Sequence, residues 1–230
     1  MNKNLLHERS LAQTVDAVNE ALFFGRDIPE EQKKELAEWI ISRQGAPGAY
    51  WNMFAPTVRD FKTGINVFTG ETMSTRAGTS HILGEEASRI LLKLGVTNER
   101  VHAALKESNK GFESAMKRAL AVGHYEGIYC CSRCTAAYWR NLAAGGFSKQ
   151  EKRLALGMKY LNSRRDGKGR WRSMPFYYTL LAVSEIELPS ARKELEYATP
   201  GLEKLLKRLG ANDKFTKRRR VLVERVLEKV

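Results

Sequence analysis

Apolar residues recur every three to four positions along most of the chain, the spacing that places them on one face of an α-helix. The first run, residues 4–24, ends at Gly25. The second run, residues 28–43, carries Pro29 and Glu30 in its first turn, where both favour a helix start. Further helices are predicted over residues 74–94, 98–109, 112–122, 130–144, 149–164, 174–186, 190–209 and 213–229. The pattern therefore predicts an all-α protein.

Residues 45–73 interrupt the helical pattern. This stretch contains six glycines and prolines together with aromatic residues such as Trp51, Phe54 and Phe61. A loop of this length is uncommon in a compact domain, and its aromatic residues indicate that it folds back on the protein. We expect an irregular insertion here, with short paired strands.

Two stretches share one layout of aromatic, polar and glycine positions, WIISRQGAPGAY at residues 39–50 and YLNSRRDGKGRW at residues 160–171. The layout matches Trp39 with Tyr160, Ile40 with Leu161, Gln44 with Arg165, Gly48 with Gly169, and Tyr50 with Trp171. A weaker third copy keeps Gly127 and Tyr129. The spacing of the three glycines is typical of helical hairpins of about 40 residues, with an insertion in the first copy.

The helices on either side of the second turn differ in their apolar surface. Residues 149–164 have one apolar face, whereas residues 174–186 are apolar almost all round, so we expect an outer and an inner helix. Residues 130–144 repeat the inner character. The glycine permits the sharp bend between outer and inner helices, and Trp171 is predicted to be a structural residue that packs over the helix ends.

The layout resembles the repeat of the squalene/hopene cyclase and protein prenyltransferase superfamily, whose fold is the α/α toroid. The resemblance covers about residues 28–187 and implies three hairpins, about half of the usual ring. An incomplete toroid is therefore expected, open or completed in a homodimer. The Asp-rich acid motif of the cyclases and the zinc ligands of the prenyltransferases have no match here. Fold alone does not carry function across such gaps.

The chain is expected to form one all-α domain over residues 1–230. The predicted order is an N-terminal helix within residues 1–27, three α/α repeats over residues 28–187, and basic C-terminal helices over residues 188–230. The longest apolar run, MPFYYTLLAV, has about ten residues, against roughly 20 needed to span a bilayer. We therefore expect no membrane span, and the absence of an apolar leader predicts a cytoplasmic protein.

Charge is the unusual feature of the composition. The chain has 39 Lys and Arg against 26 Asp and Glu, a net charge of +13. Such a balance suggests an anionic partner, either an anionic small molecule or nucleic acid. The leading hypothesis is a binding protein whose cavity between inner helices takes a ligand with an anionic group, such as an isoprenoid diphosphate. The residues predicted to line the cavity are Arg76, His81, Cys131, Cys134, Tyr138, Tyr177 and Tyr178.

Two groups of side chains suggest metal binding or catalysis rather than simple ligand binding. Cys131 and Cys134 would share one face at a helix start, with Cys130 beside them, and their spacing is that of half a zinc site. Zinc or iron–sulfur ligation, redox thiols and plain apolar packing are all open readings. His81 lies one helical turn before Glu85, and such a pair could act as a general base or be structural. An enzyme is therefore an alternative, either metal- or thiol-dependent or, as the family resemblance implies, similar to a terpene cyclase or prenyltransferase.

A second alternative is a nucleic-acid-binding protein that uses its basic C-terminal helix. RRDGKGRWR and KFTKRRR mix cationic and aromatic residues, as sequence-tolerant nucleic-acid surfaces do. The other reading is a solvated basic face. The residues predicted to bind phosphates are Arg170, Arg172, Lys217, Arg218, Arg219 and Arg220.

Overall fold

The structure is a computed structural model that describes residues 4–210 and 212–230. In this part of the chain it is mainly helical, with a single two-stranded sheet, which confirms the all-α class. The helices are α1 (Leu11–Phe23), α2 (Glu30–Ile41), α3 (Val58–Thr63), α4 (Arg76–Leu94), α5 (Glu99–Ala121), α6 (Ser132–Ala144), α7 (Gln150–Ser163), α8 (Phe176–Ser184), α9 (Pro189–Leu206) and α10 (Lys214–Lys229). No helix in these residues combines the length and apolarity needed to cross a membrane.

The insertion at residues 45–73 contains the expected short strands. Strand β1 (Ile65–Asn66) pairs antiparallel with β2 (Thr72–Met73), and the short helix α3 precedes them. Met1, Asn2 and Lys3, which belong to the predicted N-terminal segment, and Ala211 lie outside the described residues.

Two helix boundaries were predicted wrongly. The first helix was expected from residue 4, but α1 begins at Leu11, after its N-cap Ser10. Residues 98–109 and 112–122 were expected to form two helices separated at Gly111, but α5 runs through that glycine without a break. A Cβ at Gly111 would lie 3.1 Å from the backbone nitrogen of Asn52 and 3.3 Å from the carbonyl oxygen of Trp51. The glycine therefore serves close packing of the 45–73 segment on α5 rather than helix termination.

Contacts group the described residues into two compact units. Unit 1 comprises residues 4–68, 72–123 and 144–147, and unit 2 comprises residues 69–71, 124–143, 148–210 and 212–230. The organisation as one domain stays a prediction.

In unit 1, the long helix α4 packs against α1, α2, α3 and α5. Polar groups on α4 are buried with partners on α1. The amide of Asn19 donates a 3.0 Å hydrogen bond to Glu86 and accepts one of 2.7 Å from Arg89. These hydrogen bonds allow α4 to bury charged side chains, which without partners would cost several kcal/mol.

In unit 2, α9 packs against α7, α8 and α10. Helix α8 is buried from Tyr178 to Val183, as its apolar sequence predicts. Helix α6 contributes Arg140, whose guanidinium makes two 3.0 Å hydrogen bonds to the carboxylate of Glu185 at the end of α8.

The chain leaves α2 and α7 through turns with corresponding hydrogen bonds. In unit 1 the N–H of Ala55 donates to the carbonyl of Arg43 at 2.8 Å. In unit 2 the N–H of Arg172 donates to the carbonyl of Arg164 at 2.7 Å. Gln44 and Arg165 follow those two carbonyl residues, so their match in the sequence layout corresponds to equivalent places in the two turns.

The match of Tyr50 with Trp171 is wrong. Gln44 pairs with Phe54, whereas Arg165 pairs with Trp171, so the aromatic counterpart of Trp171 is Phe54. Phe54 and Trp171 are both buried, while Tyr50 is only half-buried. The first turn contains four more residues than the second, which shifts the layout beyond Gln44 out of register.

Candidate functional site

Two arginines of unit 2 lie on adjacent aromatic rings. The guanidinium of Arg170, in the turn after α7, lies 4.7 Å from the ring centroid of Phe176. That of Arg219, on α10, lies 4.7 Å from the centroid of Tyr177. The Phe176 and Tyr177 rings are 5.3 Å apart in an edge-to-face arrangement at the start of α8. With Phe215 of α10, these residues form what we call the arginine–aromatic surface.

Residues 69–71 hold this surface in place. The Nε of Arg219 donates a 2.7 Å hydrogen bond to the carbonyl of Thr69. The carboxylate of Glu71 accepts a 3.1 Å hydrogen bond from the N–H of Tyr178 in the first turn of α8. Gly70 lies against Phe215, and a Cβ there would be 2.7 Å from Cγ of that ring. One short segment thus connects α8 to α10 and fixes the orientation of Arg219.

Tyr177 is half-buried, and its burial raises the pKa of its hydroxyl. The positive charges of Arg219 and Arg170 act in the opposite direction, and the negative charge of Glu71 adds to the effect of burial. The phenol is therefore neutral at physiological pH, with a π-face that attracts cations.

The basic residues predicted to bind nucleic acid differ in exposure and in their contacts. Arg170 and Arg219 meet at the Phe176–Tyr177 pair, while Arg172 and Lys217 are exposed. Arg218 is only 1% exposed, which withdraws its guanidinium from the surface. The guanidinium of Arg220 donates hydrogen bonds to the carboxylate of Glu224 and to the carbonyl of Leu209, both at 2.9 Å. Helical spacing in the sequence does not predict which of these side chains lies on an aromatic ring, is exposed, is buried or forms an ion pair.

Trp171 is buried, as predicted for a structural residue, and does not belong to the arginine–aromatic surface. Its Nε1 donates a 2.9 Å hydrogen bond to Glu194 of α9. Arg165 donates to the same carboxylate through Nε at 3.1 Å and through Nη2 at 3.0 Å.

The residues predicted to line a central cavity are distributed over both units. In unit 2, Cys134, Tyr138 and Tyr178 are completely buried. In unit 1, the exposed Arg76 lies 4.1 Å from the ring centroid of Phe61. Their joint role in a ligand cavity stays a prediction.

His81 and Glu85, the predicted acid–base pair, are both buried on α4. The imidazole of His81 lies against Tyr50, with 3.8 Å between ring centroids. The geometry places the histidine in an aromatic environment of unit 1. A catalytic role for the pair stays a prediction.

Cys131 and Cys134 lie together at the start of α6, with Sγ atoms 3.4 Å apart. The carbonyl of Cys131 accepts the 2.8 Å hydrogen bond of Thr135, the first of the helix, so Cys131 is the N-cap residue. A hydrogen bond with Cys134 and others from the backbone N–H groups of Cys134 and Arg133 lower the pKa of Cys131 to about 6. Hydrogen bonds with Cys130 and Cys131, together with burial, raise the pKa of Cys134. The two thiols therefore differ in ionisation.

A cavity of about 360 Å³ lies in unit 2 and was not predicted from the sequence. Its lining is mostly apolar and includes Leu188 and Leu195, with Arg192 and Lys229 as cations and Glu187 as an acid. The walls come from the α8–α9 turn, the first half of α9 and the end of α10. No local sequence pattern predicts such a cavity, because its lining residues come together only in the folded unit.

No protein-family model, curated protein or solved structure matches the chain.

Proposed function

We propose that unit 2 binds single-stranded nucleic acid on the arginine–aromatic surface. The observation that carries the proposal is the placement of Arg170 and Arg219 on the neighbouring rings of Phe176 and Tyr177. Such a surface combines the two elements of sequence-tolerant recognition, cations for phosphates and aromatic rings for bases.

Stacking prepares these arginines for phosphate binding. A guanidinium held on a ring keeps its N–H edge available for bidentate hydrogen bonds, and less side-chain entropy is lost when a phosphate binds. Arg219 is held further by Thr69, while Arg170 is exposed. Phe176 and Tyr177 are half-buried, so part of each ring is accessible to a base.

The charge of the chain supports an anionic polymer as partner. Of the net charge of +13, residues 203–230 alone contribute ten Lys and Arg against four Asp and Glu. Arg172 and Lys217 are exposed on the segments that carry Arg170 and Arg219 and add to the local field. The carboxylate of Glu71 opposes this field, but it is hydrogen-bonded to Tyr178 and Thr69.

Fluorescence anisotropy with a labelled oligothymidylate, measured between 50 and 200 mM salt, tests the proposal. Because each neutralised phosphate of a single strand contributes about 0.7 to the slope of log affinity against log salt, contacts to two to four phosphates predict a slope of about −1.4 to −2.8. A flat response, or no binding at the lowest salt, would disprove the function.

Matched variants locate the surface. Arg170→Ala is expected to reduce the affinity at low salt about threefold to tenfold and to reduce the steepness of the salt dependence, since one phosphate contact is lost. Lys159→Ala removes the same charge from an exposed position of α7 and should have little effect. Equal losses in both variants would mean non-specific attraction and would contradict this location.

A second candidate function follows from the cavity of about 360 Å³, a size within the range of small-molecule sites. Its mostly apolar walls carry two cations, Arg192 and Lys229, against one carboxylate, Glu187, and so suit an amphipathic anion, the ligand class of the isoprenoid diphosphates. Arg192 forms a 3.1 Å ion pair with Glu196, and Nζ of Lys229 donates to the carbonyl of Ser184, so both cations have protein partners that a ligand would replace.

Thermal unfolding with farnesyl diphosphate tests this second candidate, with farnesol and inorganic diphosphate as controls. A rise in Tm that requires both parts of the ligand and is reduced in Arg192→Ala supports it. Lys204→Ala, an exposed change on the same helix, is the matched control. Equal stabilisation by inorganic diphosphate, or no stabilisation, would eliminate the cavity as the site.

The α/α repeat architecture is also a proposal. The corresponding hydrogen bonds of the two turns, from Ala55 to Arg43 and from Arg172 to Arg164, support a repeated hairpin. Closure into an incomplete toroid or a homodimeric ring remains part of that proposal.

A further inference from the structure

Three cysteines of unit 2 converge at the start of α6. Cys134 makes hydrogen bonds with both Cys130 and Cys131. Cys130 and Cys131 are exposed, whereas Cys134 is completely buried. The proposed nucleic-acid surface uses none of these side chains, so the cluster needs a separate explanation.

The backbone gives Cys131 and Cys134 different chemical properties. The Sγ of Cys131 occupies the N-cap position, where the N–H groups of Arg133 and Cys134 point at it and the helix dipole favours negative charge. A thiolate is stabilised there and is exposed to solvent. The thiol of Cys134 is one turn further into the helix, is shielded from solvent and lies 3.4 Å from the Cys131 sulfur.

We propose that Cys131 and Cys134 form a thiol–disulfide exchange site that reacts with a small-molecule disulfide. Cys131 is the attacking thiolate and Cys134 is the resolving thiol. The inference is independent of the proposed nucleic-acid function.

The reaction has two balanced steps. First, the Cys131 thiolate attacks one sulfur of the small disulfide, a mixed disulfide forms, and one small thiolate leaves. Next, Cys134 loses its proton and its sulfur attacks that of Cys131, which expels the second small thiolate. The two leaving groups take up the protons released by Cys131 and Cys134. The two cysteines are oxidised, and the small disulfide is reduced to two thiols.

The geometry suits the second step. The sulfur atoms must approach from 3.4 Å to about 2.05 Å, the length of a disulfide bond. Since Cys131 is exposed at the helix start while Cys134 is completely buried, most of this movement falls to Cys131. The burial of Cys134 also prevents it from forming a mixed disulfide of its own with a bulky reagent.

Equilibration of the full chain with reduced and oxidised glutathione, followed by acid quenching, alkylation and peptide mapping, tests the proposal. The expected product is the Cys131–Cys134 disulfide. Cys134→Ala should instead accumulate glutathione on Cys131, and Cys131→Ser should abolish the exchange. Cys130→Ser is the matched control and should keep both the rate and the product of the parent chain within about twofold.

Two further measurements distinguish a loss of thiol exchange from a loss of folded structure. Circular dichroism and urea unfolding of Cys134→Ala report whether the buried substitution disturbs the fold, and the exposed Cys131→Ser variant tests the attacking thiol even if it does. A Cys130–Cys134 disulfide, stable glutathione on Cys131 in the parent chain, or no oxidation would overturn the proposal. An equivalent of zinc held by these thiols in the purified protein would overturn it as well, because metal-bound thiolates are not free to exchange.

Discussion

Trp171 donates a 2.9 Å hydrogen bond from Nε1 to Oε2 of Glu194, a carboxylate that is only 2% exposed. Arg165 binds the same group through two hydrogen bonds, and the amide of Asn162 adds a fourth at 3.0 Å. This buried acid thus connects the basic turn after α7 to α9, alongside the hydrogen bonds of Tyr197 with the same turn. This explains why a tryptophan follows a polar, glycine-containing turn.

Glu194→Gln is expected to destabilise the protein by about 2–4 kcal/mol, because Arg165 loses the charge of its partner and the buried indole N–H loses a strong acceptor. Urea unfolding measures the change. Glu196→Gln on the same helix breaks only the exposed pair with Arg192 and should cost less than about 0.5 kcal/mol. Similar losses in the two variants would show that burial of Glu194 does not matter.

Gly157→Ala should destabilise unit 2. A Cβ at this position of α7 would lie 2.4 Å from Nε1 of Trp139, which donates a 2.7 Å hydrogen bond to the carbonyl of Gly127. The steric conflict is expected to cost about 1–3 kcal/mol despite the higher helix propensity of alanine. In Gly201→Ala of α9 the nearest atom would be 3.4 Å away, so that variant should be neutral or gain up to about 1 kcal/mol. Thermal or urea unfolding distinguishes the two outcomes.

Asp60→Ala should destabilise unit 1 by about 2–4 kcal/mol, because several buried donors lose their acceptor together. The Asp60 carboxylate accepts hydrogen bonds from Ser10 Oγ at 2.5 Å, from the N–H of Leu11 at 3.0 Å and from the N–H of Thr57 at 2.8 Å. It therefore serves the starts of both α1 and α3.

The matched change for Asp60 is Asp213→Asn at the exposed N-cap of α10. Asparagine caps helices nearly as well as aspartate, so this variant should lose less than about 0.5 kcal/mol of the free energy of unfolding. If Asp60→Ala were equally mild in urea unfolding, the shared cap would contribute little.

Cys131 should react with iodoacetamide already at mildly acidic pH. Its pKa is lowered to about 6, so thiolate accumulates as the pH rises through that value and disappears below it. At pH 6 about half of Cys131 is thiolate, against well below 1% of an ordinary cysteine with a pKa of about 8.5. After allowance for the weaker nucleophilicity of a less basic thiolate, the rate should be about tenfold higher.

The measurement is the alkylation rate of Cys131 between pH 5 and 9, followed by peptide mass spectrometry. An inflection near pH 6 is expected for Cys131. An inflection of Cys131 above pH 8 would refute the stabilisation of the thiolate by the helix start.

Helix positions could be predicted from the sequence because each depends on residues that are close in the chain. The end of α4 at Gly95 and the strands within the 45–73 insertion followed such local signals. A helix end was predicted at Gly111 from the same kind of signal, and that prediction was wrong. This glycine instead allows close contact of α5 with the backbone of Trp51 and Asn52. The match of Tyr50 with Trp171 was wrong for a similar reason. A short sequence pattern does not reveal that one turn contains extra residues, as the first turn does.

The candidate site was less accessible to prediction. The basic segments around Arg170 and Arg219 were identified, but their meeting at Phe176 and Tyr177 depends on the packing of α8 and α10. The pairing of Cys131 with Cys134 followed from their spacing, whereas the difference in their ionisation depends on burial and on the exact start of α6.

By itself, the sequence determined the helical class, most helix limits and the excess of positive charge, since periodicity, capping residues and composition act locally or as totals. Only the tertiary structure decided that Arg218 is withdrawn into the interior while Arg219 lies on Tyr177. The two arginines are neighbours in sequence and point to different sides of one helix. The physical reason is that burial and stacking are properties of surfaces assembled from distant segments, which local spacing cannot specify.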